Sequence, residues 1–473
     1  MNTFASAVQN QVTRTENGMI ASKDTGSSCV DLFFSAGASR GNNITPQFVS
    51  AMVENEELAI RLVQWLRDVR GGAGERELFR QVMLHLETNN PDVAIKLLPK
   101  IPELGRWDDL LIFQTKKVKD AAYSVIKTAV LSGNNLCAKW LPRKGVLAHE
   151  LRNFFGMSPK TYRKTLVGLT NVVEQKMCAK EWDAINFSHV PSVAHARYKK
   201  AFSRNTPLYS KYIDAVLAGN DSTVKINASA IFPHDVLKGV ATSFYSVDKT
   251  RMDATVAQWN ALPNYIGDAN ILPMIDVSGS MGVIIGGTGK ACSTTAMDIA
   301  VSLGLYCADK NTGKFKDIFL TFSGAPSLVK VEGNIVQKVQ QTIKADWGMN
   351  TNLVAAMSLV LKAAVDGAVP QSEMPAMLLI LSDMQFDACT RFDDSAFQMI
   401  NRKYEEAGYV VPKIVFWNLY SHSNVPVKHT TNGVALVSGF SPAILTAILA
   451  ADLEQFTPTS IMLKTLMQPK YDF

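Results

Sequence analysis

The apolar positions along this chain change their period once. Up to about residue 240 they recur at helical spacing. Phe48, Met52, Leu58, Ile60, Leu62, Val63 and Leu66 form one such stretch, and Leu78, Phe79, Val82, Met83 and Leu86 form another. The first reads as one or two amphipathic helices and the second as another, each with an apolar stripe along one side. Thr45-Pro46 starts the first stretch, because proline at the opening position gives up no helical hydrogen bond. Arg70-Gly-Gly-Ala-Gly74 breaks it, and Pro99 and Pro102 end the stretch that runs from Pro91 to Leu98. Residues 1–44 are polar and rich in Gly and Ser, and they read as an extended segment that packs against the second half.

After Phe244 the chain turns loop-like, through Asn264 and Gly267-Asp-Ala-Asn270. From there short apolar runs alternate with amphipathic stretches. Strands are expected near 271–276, 316–322, 327–331, 376–382, 411–418 and 433–438. Helices are expected near 291–308, 334–344, 352–365, 391–407 and 442–450, with a last one in the final 20 residues. That alternation predicts a mostly parallel sheet with helices on both faces. The chain thus reads as two domains: 1–267, irregular paired helices of HEAT type with 1–44 as an N-terminal extension, and 268–473, a doubly wound α/β domain.

Composition adds limits. The 473 residues, 47% hydrophobic and 19% charged, describe a folded chain with ample core. No apolar run reaches the ~18 residues of a membrane-spanning helix, and Met1-Asn-Thr-Phe-Ala-Ser lacks the charged start and apolar stretch of a secretory signal. The six cysteines are scattered without a Cys-x-x-Cys, which fits a reducing compartment and argues against structural zinc. A cytoplasmic monomer without membrane contact is expected.

Charge changes the picture more. Residues 112–211 carry 18 Lys and Arg against 5 Asp and Glu. Such an excess attracts phosphate-bearing polymers. Clustering singles out Lys160, Arg163, Lys164, Lys199, Lys200 and Arg204 as phosphate contacts. Interleaved aromatics, Trp140, Phe154, Phe155, Tyr162, Trp182, Tyr198, Phe202, Tyr209 and Tyr212, read mostly as core, although exposed ones would stack unpaired bases.

The second candidate chemistry lies at Ile271-Leu-Pro-Met-Ile-Asp276-Val-Ser278-Gly-Ser280-Met-Gly282. An apolar strand ends there in one carboxylate and two hydroxyls within a single turn. Asp346-Trp-Gly-Met-Asn-Thr351 and Met377-Leu-Leu-Ile-Leu-Ser382-Asp383 supply further oxygens. Hard oxygens converging at strand ends suit Mg²⁺ or another divalent cation. Catalytic motifs fail. Gly286-Gly-Thr-Gly289-Lys290 has Ile284 and Ala291 where a phosphate loop needs Gly and Ser or Thr, His149-Glu-Leu-Arg-Asn153 lacks the second His of a zinc protease, and no Gly-x-Ser-x-Gly is present. A non-enzymatic chain is expected.

These oxygen-bearing turns resemble a von Willebrand factor A domain with a metal-ion-dependent adhesion site. The resemblance implies Asp276, Ser278, Ser280, Thr351 and Asp383 as ligands of Mg²⁺, with an open position for a partner's carboxylate. Taken with the helical half, the chain resembles the Ro autoantigen family, in which a TROVE ring of HEAT-like helices is closed by such a domain. It is most similar to an uncharacterised plant, fungal and viral branch. Thr15-Glu-Asn-Gly, Val30-Asp-Leu-Phe, Arg67-Asp-Val-Arg-Gly-Gly-Ala-Gly-Glu-Arg-Glu-Leu-Phe79, Ala138-Lys-Trp-Leu-Pro142, Trp182-Asp-Ala-Ile-Asn-Phe-Ser-His-Val-Pro191, Tyr198-Lys-Lys-Ala-Phe202, Ile231-Phe-Pro-His234 and Leu381-Ser-Asp-Met-Gln-Phe-Asp387 carry it. It implies a ribonucleoprotein holding structured or single-stranded RNA. The alternative is a scaffold whose cation captures an acidic protein partner, including in a phage or viral assembly.

Overall fold

In a computed structural model the described residues are 12–238, 240, 248–286, 294–322, 325–345, 352–386, 396–421, 424–452 and 454–473. The chain forms a helical half followed by an α/β half built on a six-stranded sheet. Among the described residues no helix is long and apolar enough to cross a membrane.

The described part of 1–44 is extended only at its start and helical beyond it, where the sequence reading has it extended throughout. Strands β1 (Val12–Arg14) and β2 (Ile20–Ser22) pair as an antiparallel hairpin, and Ser28–Ala36 is a helix. Ser27 caps that helix by accepting from the Val30 amide, and Cys29, Val30, Leu32, Phe33, Phe34 and Ala36 are buried in it. The polar flanks hid a core helix whose apolar positions run nearly all round.

Helices Thr45–Glu54, Glu56–Arg67, Glu77–Asn89, Pro91–Leu97 and Lys116–Leu131 then pack in succession. A buried ion pair pins them: Arg67 and Asp109 are 2% and 0% exposed and meet at 2.7 Å, and Arg76 and Arg80 reach the other oxygen of Asp109. A separate small core gathers Phe187, Phe202, Tyr209 and Ile213 with helix Lys249–Asn260.

The sheet comprises β3 (Ile271–Asp276), β6 (Ile318–Phe322), β7 (Leu328–Lys330), β8 (Met377–Ser382), β9 (Lys413–Asn418) and β10 (Val434–Ser438). Two short strands, β4 (Ile284–Gly286) and β5 (Thr294–Thr295), pair apart from it. All six expected strands are present. The order is β10-β9-β8-β3-β6-β7, parallel except for β7. β3 and β8 are buried at every position, as central parallel strands covered on both faces must be. In order of appearance these strands lie 6-5-4-1-2-3, so the winding reverses between β3 and β8. In doubly wound sheets such a reversal is where the ligand crevice lies, outside the carboxyl ends of the strands. Asp276 ends β3 and Asp383 follows β8.

Candidate functional site

At the crevice, Asp276 and Asp383 are both fully buried. Asp276 Oδ1 accepts from the Ser278 amide at 2.9 Å, and its Oδ2 accepts from Ser382 Oγ at 2.6 Å. Asp383 Oδ1 accepts from the Gln385 amide at 3.2 Å. Burial pushes the Asp276 carboxyl up to about 7, and the Asp383 charge adds to this against the hydrogen bonds from Ser382 and Ser278. A cation would offset that cost, because it supplies the opposite charge where water is excluded.

The hydroxyls fit the same ion. Ser278 Oγ and Ser280 Oγ lie 3.1 Å apart, close to the ~3 Å between neighbouring oxygens around Mg²⁺ held at 2.0–2.1 Å. Of the five expected ligands, Asp276, Ser278 and Ser280 share one turn, Asp383 follows β8 near enough for its charge to act on Asp276, and Thr351 lies outside the described residues. Among the described residues no group of three His, Cys, Asp or Glu could hold a metal, so a cation here would depend on hydroxyl and carboxylate oxygens together. Sequence reasoning missed the role of Ser382. Its position beside Asp383 at the end of an apolar run was the available signal.

The basic segment divides by helical phase. In helix Pro159–Leu169, Tyr162 and Leu166 are buried, and Lys160, Arg163 and Lys164 are exposed on the opposite side. In helix Ser192–Asn205, Ser192, His195 and Phe202 face inward while Arg197, Lys200 and Arg204 are exposed. Lys199 is a correction. It is partly buried and its ammonium donates to Thr255 Oγ1 at 2.7 Å. Burial, with Arg251 nearby, lowers it to about 8. It shares the face of His195 and Phe202, so it points at helix Lys249–Asn260 rather than at solvent.

Elsewhere in the segment only part of the positive charge is matched. Lys116, Lys117, Lys119 and Lys139 pair with Asp120, Asp92, Glu150 and Glu174. Among the described residues Lys160, Arg163, Lys164, Lys200 and Arg204 have no carboxylate counterpart. The aromatics are core: Phe155, Tyr162, Phe202 and Tyr209 are buried, Phe154, Trp182, Tyr198 and Tyr212 are half-buried, and the Arg106 guanidinium covers Trp140 at 3.9 Å. This surface offers charge without an open ring for stacking.

A family model described as "Domain of unknown function (DUF2828)" matches residues 15–130 and 146–272, slightly more than half of the chain. The chain belongs to the DUF2828 family. A second model, "Domain of unknown function (DUF7788)", matches residues 270–464 of this DUF2828 chain. Among curated proteins it is similar to "Uncharacterized protein L728" of Acanthamoeba polyphaga mimivirus, 29% identical over 519 residues, covering 96% of this chain and 86% of that protein. Among solved structures it is similar to the Ro (RSR) protein of Deinococcus radiodurans, at 12% identity, over 93% of this chain and 99% of that one, with a TM-score of 0.41. A superposition that loose carries no argument about function.

Proposed function

We propose that this chain is a non-catalytic cytoplasmic RNA-binding protein that holds single-stranded or structured RNA by its phosphates, in the manner of the Ro ribonucleoproteins it resembles. The helical half would form the ring of that family and the α/β half its closing domain. One observation carries the reading: five exposed cations, Lys160, Arg163, Lys164, Lys200 and Arg204, lie on the outer sides of two helices with no carboxylate against them. Uncompensated positive side chains gain most from phosphate, because binding releases the counterions of the polymer. The enclosed aromatics favour sequence-tolerant binding dominated by charge.

The test is fluorescence anisotropy with labelled single-stranded RNA over a salt series. Changing all five cations to Gln should weaken binding and flatten the salt slope by about 3–4, at ~0.7 per phosphate contact. Unchanged affinity and slope would sink the surface.

A second reading is favoured by two buried carboxylates, Asp276 and Asp383, that act on each other beside the paired hydroxyls of Ser278 and Ser280. These residues would hold Mg²⁺, and the ion would supply an open position for a carboxylate oxygen from an acidic protein partner. Such capture should vanish with chelator or with Asp276→Ala, and RNA binding should not. The two activities use different halves and can coexist.

A further inference from the structure

The loop that carries Asp383 is held from outside its own domain. Thr15 Oγ1 donates to the Phe386 carbonyl at 2.5 Å, Asn17 Nδ2 donates to the Gln385 carbonyl at 2.9 Å, and the Glu16 amide donates to Gln385 Oε1 at 2.7 Å. Gln385, 2% exposed, passes the link on through its Nε2 to Asn424 Oδ1 at 3.1 Å. On its far side the hairpin is fastened again, where Ser22 and Val425 exchange backbone hydrogen bonds at 3.0 and 2.9 Å. The hairpin thus spans the loops after β8 and β9, at the carboxyl edge of the sheet beside the crevice.

The loop it grips needs such support. Met384 has a φ of +66°, a conformation that a side chain bearing Cβ rarely adopts and that persists only where neighbours hold it. Ser382 Oγ accepts from the Met384 amide at 3.0 Å while donating to Asp276. A displacement of the loop would therefore be felt by both carboxylates.

We infer that the turn Thr15-Glu16-Asn17-Gly18 is a positioning element of the cation site, which fixes where Asp383 presents its carboxylate. This rests on the cation reading above. An isolated two-stranded hairpin is barely stable, so its order comes from these contacts, and coupling between hairpin and cation runs both ways. The residues that orient metal ligands govern affinity nearly as strongly as the ligands do.

The experiment uses Mn²⁺ as probe on the full chain, with binding followed by electron paramagnetic resonance and the hairpin by hydrogen exchange. Thr15→Val and Asn17→Ala should each weaken Mn²⁺ roughly 10-fold, whereas Thr15→Ser should restore it to near the parent value. Mn²⁺ should slow exchange in residues 12–22 of the parent and leave it unchanged in Asp276→Ala. Asn17 is exposed, so its variant answers the question even where Thr15→Val does not fold. Parent-like affinity in both variants overturns the positioning role and leaves the cation site standing. A parent that binds no Mn²⁺ through Asp276 overturns the site and the inference together.

Discussion

Lys199 and Lys200 are neighbours in sequence and opposites in physics. The sequence clusters both with Arg204, and charge counting treats them alike. Helical phase separates them, because Lys199 is four residues after His195 and three before Phe202, both buried. Its ammonium sits against Thr255 Oγ1, whose hydroxyl also donates to the Arg251 carbonyl at 2.9 Å. Removing the amine therefore orphans no donor. With its folded value lowered to about 8 from 10.5, Lys199 is still charged at pH 7, and the fold bears the cost of that buried charge. Between pH 8 and 10.5 the unfolded chain binds the extra proton, so this group makes stability rise with pH. Lys199→Met should raise stability at pH 7 by on the order of 1–2 kcal/mol in a urea titration, with the gap to the parent closing above pH 10. RNA affinity should stay unchanged in Lys199→Met and fall in Lys200→Gln. Loss of affinity in Lys199→Met would return Lys199 to the binding surface.

Elements made almost entirely of core were legible in the alternate half and misread near the start. β3 and β8 announced themselves as unbroken apolar runs ending in carboxylates, and their burial at all positions follows from parallel pairing on both sides. Helix Ser28–Ala36 has equally apolar content, yet Gly and Ser on both flanks gave it the look of a strap. Its docking is set by a residue with no side chain. A Cβ on Gly37 would lie 2.7 Å from the Gly439 nitrogen and 2.8 Å from the Ser438 carbonyl carbon, both backbone atoms of the turn after β10. Ser438 Oγ also donates to the Phe33 carbonyl at 2.7 Å and accepts from the Gly37 amide at 3.0 Å. Neither side can retreat without breaking these bonds. Gly37→Ala, at an ordinary helical φ of −67°, should cost about 1–3 kcal/mol through overpacking alone. Differential scanning calorimetry reads this directly, and an unchanged melting temperature would show that the helix can move off the sheet. That residues 1–44 would pack against the second half was legible, but the hairpin's grip on the Asp383 loop was not, because Thr15 and Phe386 are 371 residues apart and no local period encodes which residues meet.

Across the whole molecule, the two halves are held by the far end of the described chain. Helix Pro458–Leu466 packs on β10 and on helix Glu56–Arg67, and the residues after it reach back to that helix. Asp68 Oδ2 accepts from Lys470 Nζ at 2.8 Å and from the Tyr471 hydroxyl at 2.9 Å. Its Oδ1 accepts from the amides of Arg70 and Gly71 at 2.8 and 3.0 Å. Gln64 Nε2 donates to the Tyr471 carbonyl at 2.7 Å, and Arg61 meets Asp472 at 2.7 Å. Burial pushes the Asp68 carboxyl up, but Lys470 and the two amides outweigh it and hold the group below its usual 3.8. A carboxyl lowered in the fold stabilises above the unfolded value, and that contribution disappears as pH falls through the folded one. Asp68→Asn keeps the shape and removes the charge. It should cost about 1–3 kcal/mol at pH 7, since Lys470 is partly in water and only the Tyr471 side of the contact is enclosed. The deficit should shrink below about pH 4, as the parent's own carboxyl takes up its proton. Because the clamp joins the halves, residues 56–71 and 458–473 should lose hydrogen-exchange protection together in the variant, ahead of the sheet. A deficit that persists unchanged at pH 3, or protection lost on one side alone, would mean that the halves are held by apolar packing and not by this carboxylate.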